Sequence, residues 1–289
     1  MGNKKIISIV FLSMTVIAWG ISFLSIKISL TVFPPVSLAF YRFLIAGVIQ
    51  FVLMKKLGIN EKIDKKDFPL LIVAGLTGIT IYYIFENNGL MRISANDASI
   101  IVAMLPVFTA IIEKFILKKK MNTITLLGII LSIFGVFLVI GAKLEGGSII
   151  GYILMFLSAI SFAIYLIVTK PLFQKYSDIT IAFYQSVIGC IGFIPFLFFE
   201  DVKWELLNLN ILTNFLFLAI ICSALANYIY LYALNNTSVS VSAIFLNLVP
   251  VVTFISSYII YDEKLSGIQL FGALIVIASV TMVTNSESS

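Results

Sequence analysis

The feature that most restricts this chain is a succession of apolar stretches, each about as long as a bilayer is thick. A helix crossing a hydrocarbon core of roughly 30 Å needs about 20 mostly apolar residues. Ten segments of the 289 residues meet that requirement: 6–30, 36–54, 68–90, 98–117, 123–141, 148–170, 179–199, 210–233, 239–260 and 266–284. Composition agrees, with 61% hydrophobic and only 11% charged residues, against roughly 25% charged in a soluble domain. Mean hydropathy is +1.11. A soluble fold of this size has no interior large enough for so much apolar surface. The expectation is an all-α integral membrane protein, multi-pass in the cell membrane. Lys4 and Lys5 precede the first stretch, which is too long for a signal peptide and lacks a small-residue cleavage site, so it reads as a retained span.

The connections are short, and none has room for a soluble catalytic domain. The longest charged island, KKLGINEKIDKKD at 55–67, reads as a surface loop and not as a nucleic-acid arm. The net charge of +5 fits basic loops facing anionic lipid head groups. Cys190 and Cys222 fall inside apolar spans and suggest no disulfide framework. The chain has no histidine, which removes His-zinc sites and Ser-His triads. It has no GxxxxGK[ST] loop to cradle a phosphate, so ATP hydrolysis is not expected. Neither a metal, a cofactor nor an enzymatic activity is expected.

A repeat organises the spans. LPVFTAIIEKFILKKK (105–120) returns as VPVVTFISSYIIYDEK (249–264). With a shift of 144, residues 90–140 align without a gap to 234–284, and fifteen of the 51 pairs are identical. Among them are Ser94/Ser238, Pro106/Pro250, Thr109/Thr253, Lys120/Lys264 and Gly128/Gly272. Two units follow, 1–143 and 144–289, each of five spans. Five is odd, so the copies are expected to lie upside down to one another, making ten transmembrane helices in two inverted five-helix repeats. With the N-terminus inside, thirteen Lys or Arg residues fall on the cytoplasmic side and four outside. Both termini are therefore expected to be cytoplasmic. Inverted repeats suit alternating access, because each half can take the shape of the other around a midplane site.

Three motifs carry a family resemblance: AWGISFLSIK (18–27), PPVSLAFYRFLIA (34–46) and NGLMRISANDASIIVAMLPVFTA (88–110). In this order, and on ten spans in two halves, they resemble the EamA family of the drug/metabolite transporter superfamily. The chain departs from the family at Lys119, where a glutamate near the end of span 4 is usual. The resemblance implies secondary transport: export of small metabolites, often amino acids, without ATP hydrolysis. Two other classes stay open, a flippase for lipid-linked substrates and a non-transporting receptor or assembly protein. The expected partners are a small-molecule metabolite, the lipid bilayer and a proton as candidate coupling ion, with no nucleic acid; the chain is expected to be a monomer or a homodimer.

Ionisable groups within a membrane are costly and are functional candidates by default. Arg42 in span 2 and Glu86 in span 3 lie at comparable outward depth, and Lys27 lies near the outer end of span 1. Arg42 and Glu86 either form a structural ion pair or meet the charges of a substrate. Tyr82, Tyr83 and Glu86 share one helical face, and the repeat places Asn227 and Tyr230 opposite Tyr83 and Glu86. Ser158, Ser161 and Tyr165 in span 6 line one face, and their partners in span 1 are Trp19, Ser22 and Ile26. Asn247 in span 9 is a further polar candidate. Pro106 and Pro250, at equivalent midspan positions, are expected to kink their helices and act as hinges.

Overall fold

The computed structural model describes residues 2–116, 123–141, 148–236, 245–246, 248–262 and 266–287. Among them the regular structure is wholly helical, as expected where no water is available to satisfy a lipid-facing backbone. Helix α1 is Gly2–Ser29 and α2 is Pro35–Lys56. Helix α3 runs Phe68–Leu90. Helix α4 has two pieces, Ala95–Ala103 and Leu105–Ile116. Then come α5 (Thr123–Gly141), α6 (Ile149–Thr169) and α7 (Asp178–Leu197). Helix α8 runs Leu209–Asn236, and α9 (Val249–Tyr261) and α10 (Gly267–Glu287) follow. Seven of these, α1–α4 and α6–α8, are long and apolar enough to cross a membrane, while the apolar cores of α5, α9 and α10 are shorter. This is a multi-pass membrane architecture. The seven long helices fall short of the expected ten crossings.

Local chemistry sets the helix ends. The Ser94 hydroxyl accepts from the Asp97 amide at the start of α4, and the Asn208 side chain accepts from the Ile211 amide at the start of α8. Helix α2 ends on Gly58, at φ 68°. There the Gly58 amide bonds Lys55 O and the Ile59 amide bonds Met54 O, closing the last turn through a left-handed residue. On the periphery large side chains stay apolar and exposed, such as Ile130, Phe134 and Phe137 on α5 and Ile268 and Phe271 on α10. That surface suits lipid.

Packing follows the repeat. Helix α1 lies against α8 and α9, and its counterpart α6 lies against α3 and α4. Helix α2 packs on α8, as α7 packs on α3; α2 also pairs with its own counterpart α7, and α5 with α10. The α2–α7 pair is antiparallel. At one end Glu200, just after α7, accepts from the amides of Val36 and Ser37 and from the Ser37 hydroxyl at the start of α2. At the other end Thr180 of α7 reaches the sulfur of Met54 in α2. There Glu61, after α2, accepts from the amide and hydroxyl of Ser177 just before α7. Each of these two helix starts is thus capped by an acid from the other half of the chain.

Beside Glu61, Asp67 takes hydrogen bonds from Lys175 at 2.8 Å and Tyr176 at 2.7 Å. These bonds hold the Asp67 carboxyl below the usual carboxylate range, and the same contact raises the Lys175 ammonium.

The two prolines sit at equivalent local irregularities. Met104 is a turn residue and Pro106 opens the second piece of α4; Leu248 is the equivalent turn and Pro250 opens α9. In a first turn the missing N–H costs little, because that donor has no intrahelical partner anyway. Met104 and Leu248 both keep right-handed helical backbone, so each proline follows a one-residue interruption in the hydrogen-bond ladder.

Two other irregularities were not foreseen. Helix α3 is π-helical over Leu76–Ile81, and α8 is π-helical over Phe217–Ala226. The shift of 144 carries 76–81 onto 220–225, inside the second stretch. Wide turns of this kind are rare and tend to occur at functional sites.

Candidate functional site

Both π-helical stretches end where the expected polar residues begin, Tyr82, Tyr83 and Glu86 in α3 and Asn227 and Tyr230 in α8. Arg42 enters between them from α2. It is 1% exposed; its Nε donates to the Ser223 hydroxyl at 3.2 Å, and its guanidinium carbon lies 4.8 Å from the centre of the Tyr83 ring. Glu86 is 4% exposed and accepts from the Tyr82 hydroxyl at 2.6 Å. No ion pair joins Arg42 to Glu86 among the described residues. Instead, Arg42 Nη1 and Glu86 Oε2 are both buried without a hydrogen-bond partner. A buried polar atom left in that state is costly, and two of opposite charge in one layer point to a ligand carrying both charges.

Aromatic rings surround this layer. Trp19 of α1 lies 4.9 Å from Tyr230 and 6.3 Å from Phe162, centre to centre. Phe162 in turn lies 5.0 Å from Tyr82 and 4.9 Å from Tyr165. Trp19, Tyr83, Phe162 and Asn227 remain half-buried amid fully buried neighbours. Such rings suit an apolar substrate side chain and the face of a cation.

The structure gathers Trp19, Arg42, Tyr82, Tyr83, Glu86, Tyr165 and Tyr230 into one region, and Asn227 lies on α8 three residues before Tyr230. The two serines act differently. The Ser22 hydroxyl turns back to Trp19 O within its own helix, and Ser161 donates to Thr77 O, tying α6 to α3. Tyr165 also braces two helices, donating to Gln185 of α7. Lys27 donates to Ile93 O at 2.6 Å and borders a separate cavity of about 490 Å³ with Ser94, Asn208 and Tyr261. Asn247 lies outside the described residues, as do Lys119 and Glu263.

Reading the sequence missed Phe162, Ser223 and Gln50. Phe162 gave no signal among 25 phenylalanines. Gln50 did: it is the lone amide within the apolar run of span 2, and it is fully buried, donating to Ser223 O and Ala224 O.

Comparison with known proteins adds the following. A family model described as the EamA-like transporter family matches residues 6–141 and again 149–285. An uncharacterized transporter of Archaeoglobus fulgidus is 30% identical over 275 residues, covering 93% of this chain and 98% of the relative. A probable terminal-alkyne amino-acid exporter of Streptantibioticus cattleyicolor is 24% identical, covering 94% and 91%. A solved structure with 15% identity superposes with a TM-score of 0.72 over 100% of both chains, which shows a shared fold.

Proposed function

The chain belongs to the EamA-like transporter family, and from that premise we propose that it exports small zwitterionic metabolites, amino acids with an apolar side chain foremost, by alternating access. The observation that carries this reading is the pair of buried, oppositely charged groups, Arg42 and Glu86, each with an unpartnered polar atom, within a ring of aromatics. A substrate carboxylate would meet Arg42, its ammonium would meet Glu86, and its side chain would lie among Trp19, Phe162 and Tyr230. A relative named as a probable amino-acid exporter supports the substrate class.

The frame we propose is ten spans in two inverted units, 1–143 and 144–289, in the cell membrane with both termini cytoplasmic. The antiparallel α2–α7 pair and the exchanged contacts of α1 and α6 support it. A proton is the coupling ion we favour, and the unit is a monomer or a homodimer. The test is efflux from proteoliposomes loaded with a panel of radiolabelled amino acids, with and without a pH gradient. Saturable efflux of apolar amino acids, weakened in Arg42→Gln, is expected; no flux of any zwitterion overturns the reading.

One observation favours a second substrate class. An apolar groove of about 430 Å³ between α2 and α7, lined by Phe40, Phe43, Phe51, Phe183 and Ile191, lies directly outside the Phe43–Tyr83 contact. A lipid-linked substrate would seat its chain there. In that case a long-chain amphiphile would raise the melting temperature and free amino acids would not.

A further inference from the structure

We infer that Gln50 is a positioning residue for Arg42, acting through the π-helical turn of α8; the inference rests on the substrate reading above. A π-helical turn is wider than an α-helical one, and its carbonyls, each with two lone pairs, also accept from outside donors. In α8 those carbonyls are taken by side chains from the first half of the chain. Trp19 Nε1 donates to Cys222 O at 3.4 Å. Gln50 Nε2 donates to Ser223 O at 3.4 Å and to Ala224 O at 3.2 Å. The Thr15 hydroxyl donates to Phe11 O at 2.9 Å and lies 3.5 Å from Ala226 O.

Ser223 stands at the centre of this arrangement. Its carbonyl is held by Gln50, and its hydroxyl holds Arg42 Nε at 3.2 Å. Arg42 and Gln50 belong to the same helix, eight residues apart, so α2 grips one residue of α8 at two points. The first grip fixes the backbone of Ser223; the second uses that fixed hydroxyl to set the plane of the guanidinium. With Nε so engaged and the ring of Tyr83 beneath, Nη1 is left for a ligand. Gln50 touches no substrate in this arrangement. Without it the Ser223 backbone loses its tie to α2, and the hydroxyl that orients Arg42 is held less firmly.

The comparison that tests this is wild type, Gln50→Met, Arg42→Gln and the double variant, each purified in detergent. Methionine preserves the length and volume of glutamine but cannot donate. Binding of L-phenylalanine is read by isothermal titration calorimetry, and amide exchange is read by mass spectrometry over 217–230. Gln50→Met is expected to weaken binding about tenfold, the worth of one well-placed hydrogen bond, and to speed exchange in the π-helical stretch. In the Arg42→Gln background Gln50→Met should cost nothing further, because its effect passes through Arg42. Additive losses in the double variant, or unchanged exchange over 217–226 in Gln50→Met, overturn the assignment. If wild type fails to bind L-phenylalanine or any other amino acid, the substrate reading falls, and exchange alone then decides the role of Gln50.

Discussion

Neutralising Arg42 and Glu86 separates a ligand site from a structural pair. Two unit charges about 4 Å apart in an effective dielectric near 20 attract by about 4 kcal/mol, and breaking a true buried pair from one side costs roughly 3–5 kcal/mol. Arg42 and Glu86 are not in contact, so each single Gln variant should fall well below that range. In Arg42→Gln the losses are the Ser223 hydrogen bond and the contact with Tyr83. These are about 1.5–3 kcal/mol and 0.5–2 kcal/mol respectively, and both are offset by no longer burying a charge. Glu86→Gln keeps an acceptor for the Tyr82 hydroxyl and should change stability by about 1 kcal/mol or less. Ligand affinity should behave oppositely. Each variant removes one charge-assisted bond to a zwitterion, worth about 1.5–3 kcal/mol, or roughly 10- to 150-fold in Kd. Thermal unfolding in detergent measures the first quantity and isothermal titration calorimetry the second. The reasoning is refuted if both single variants lose 3 kcal/mol or more of stability and the double variant regains it, since that is the signature of a structural pair.

Three further outcomes are expected. Gly78 lies against the ring of Tyr165, so a Cβ in Gly78→Ala overlaps that ring; thermal unfolding should show a loss of about 1–3 kcal/mol, and an unchanged melting temperature would contradict the close approach. Asp67 has a depressed carboxyl, so its contact with Lys175 and Tyr176 is present above the usual carboxylate pKa of about 3.9 and lost as pH falls through the lower folded value. Transport between pH 5 and 8 should then not report on it, whereas Asp67→Asn at pH 7 should expose the Lys62–Lys66 loop to trypsin. In a background free of Cys190 and Cys222, single cysteines at Lys62 and Ser266, both exposed, should react with an impermeant maleimide from opposite sides of intact cells; reaction from one side would remove the inverted arrangement.

The long helices were legible because twenty apolar residues in hydrocarbon have few alternatives to a helix. The duplication was legible because aligned identities survive in one copy as in the other. Which side chains meet was not. Arg42 and Glu86 were placed at similar depth, yet depth says nothing about rotation, and each residue along a helix turns its side chain by 100°. The π-helical turns leave no periodic trace, since one wide turn inside an apolar span only shifts the register of residues that are apolar on every face. Pro106 and Pro250 were correctly read as repeat-related, but their local effect depends on where the preceding turn breaks, at Met104 and Leu248. Glu61 and Glu200 carry no signal in the sequence, because each caps a helix start more than a hundred residues away.

The contacts of α1 also set a schedule for synthesis. Trp19 finds Cys222 O, Thr15 finds Ala226 O, and Gly20 O receives the Thr253 hydroxyl, each across more than two hundred residues. At about 5–20 residues per second, the ribosome needs roughly 10–40 s to make the partners of a helix it has already delivered. Arg42 waits nearly as long for Ser223. Throughout that interval a guanidinium in span 2 has neither its hydroxyl nor its neighbours in α8. The early spans must therefore be sheltered at the insertion machinery or held loosely in the head-group region until α8 arrives. The repeats are units of sequence, but assembly waits for the second of them.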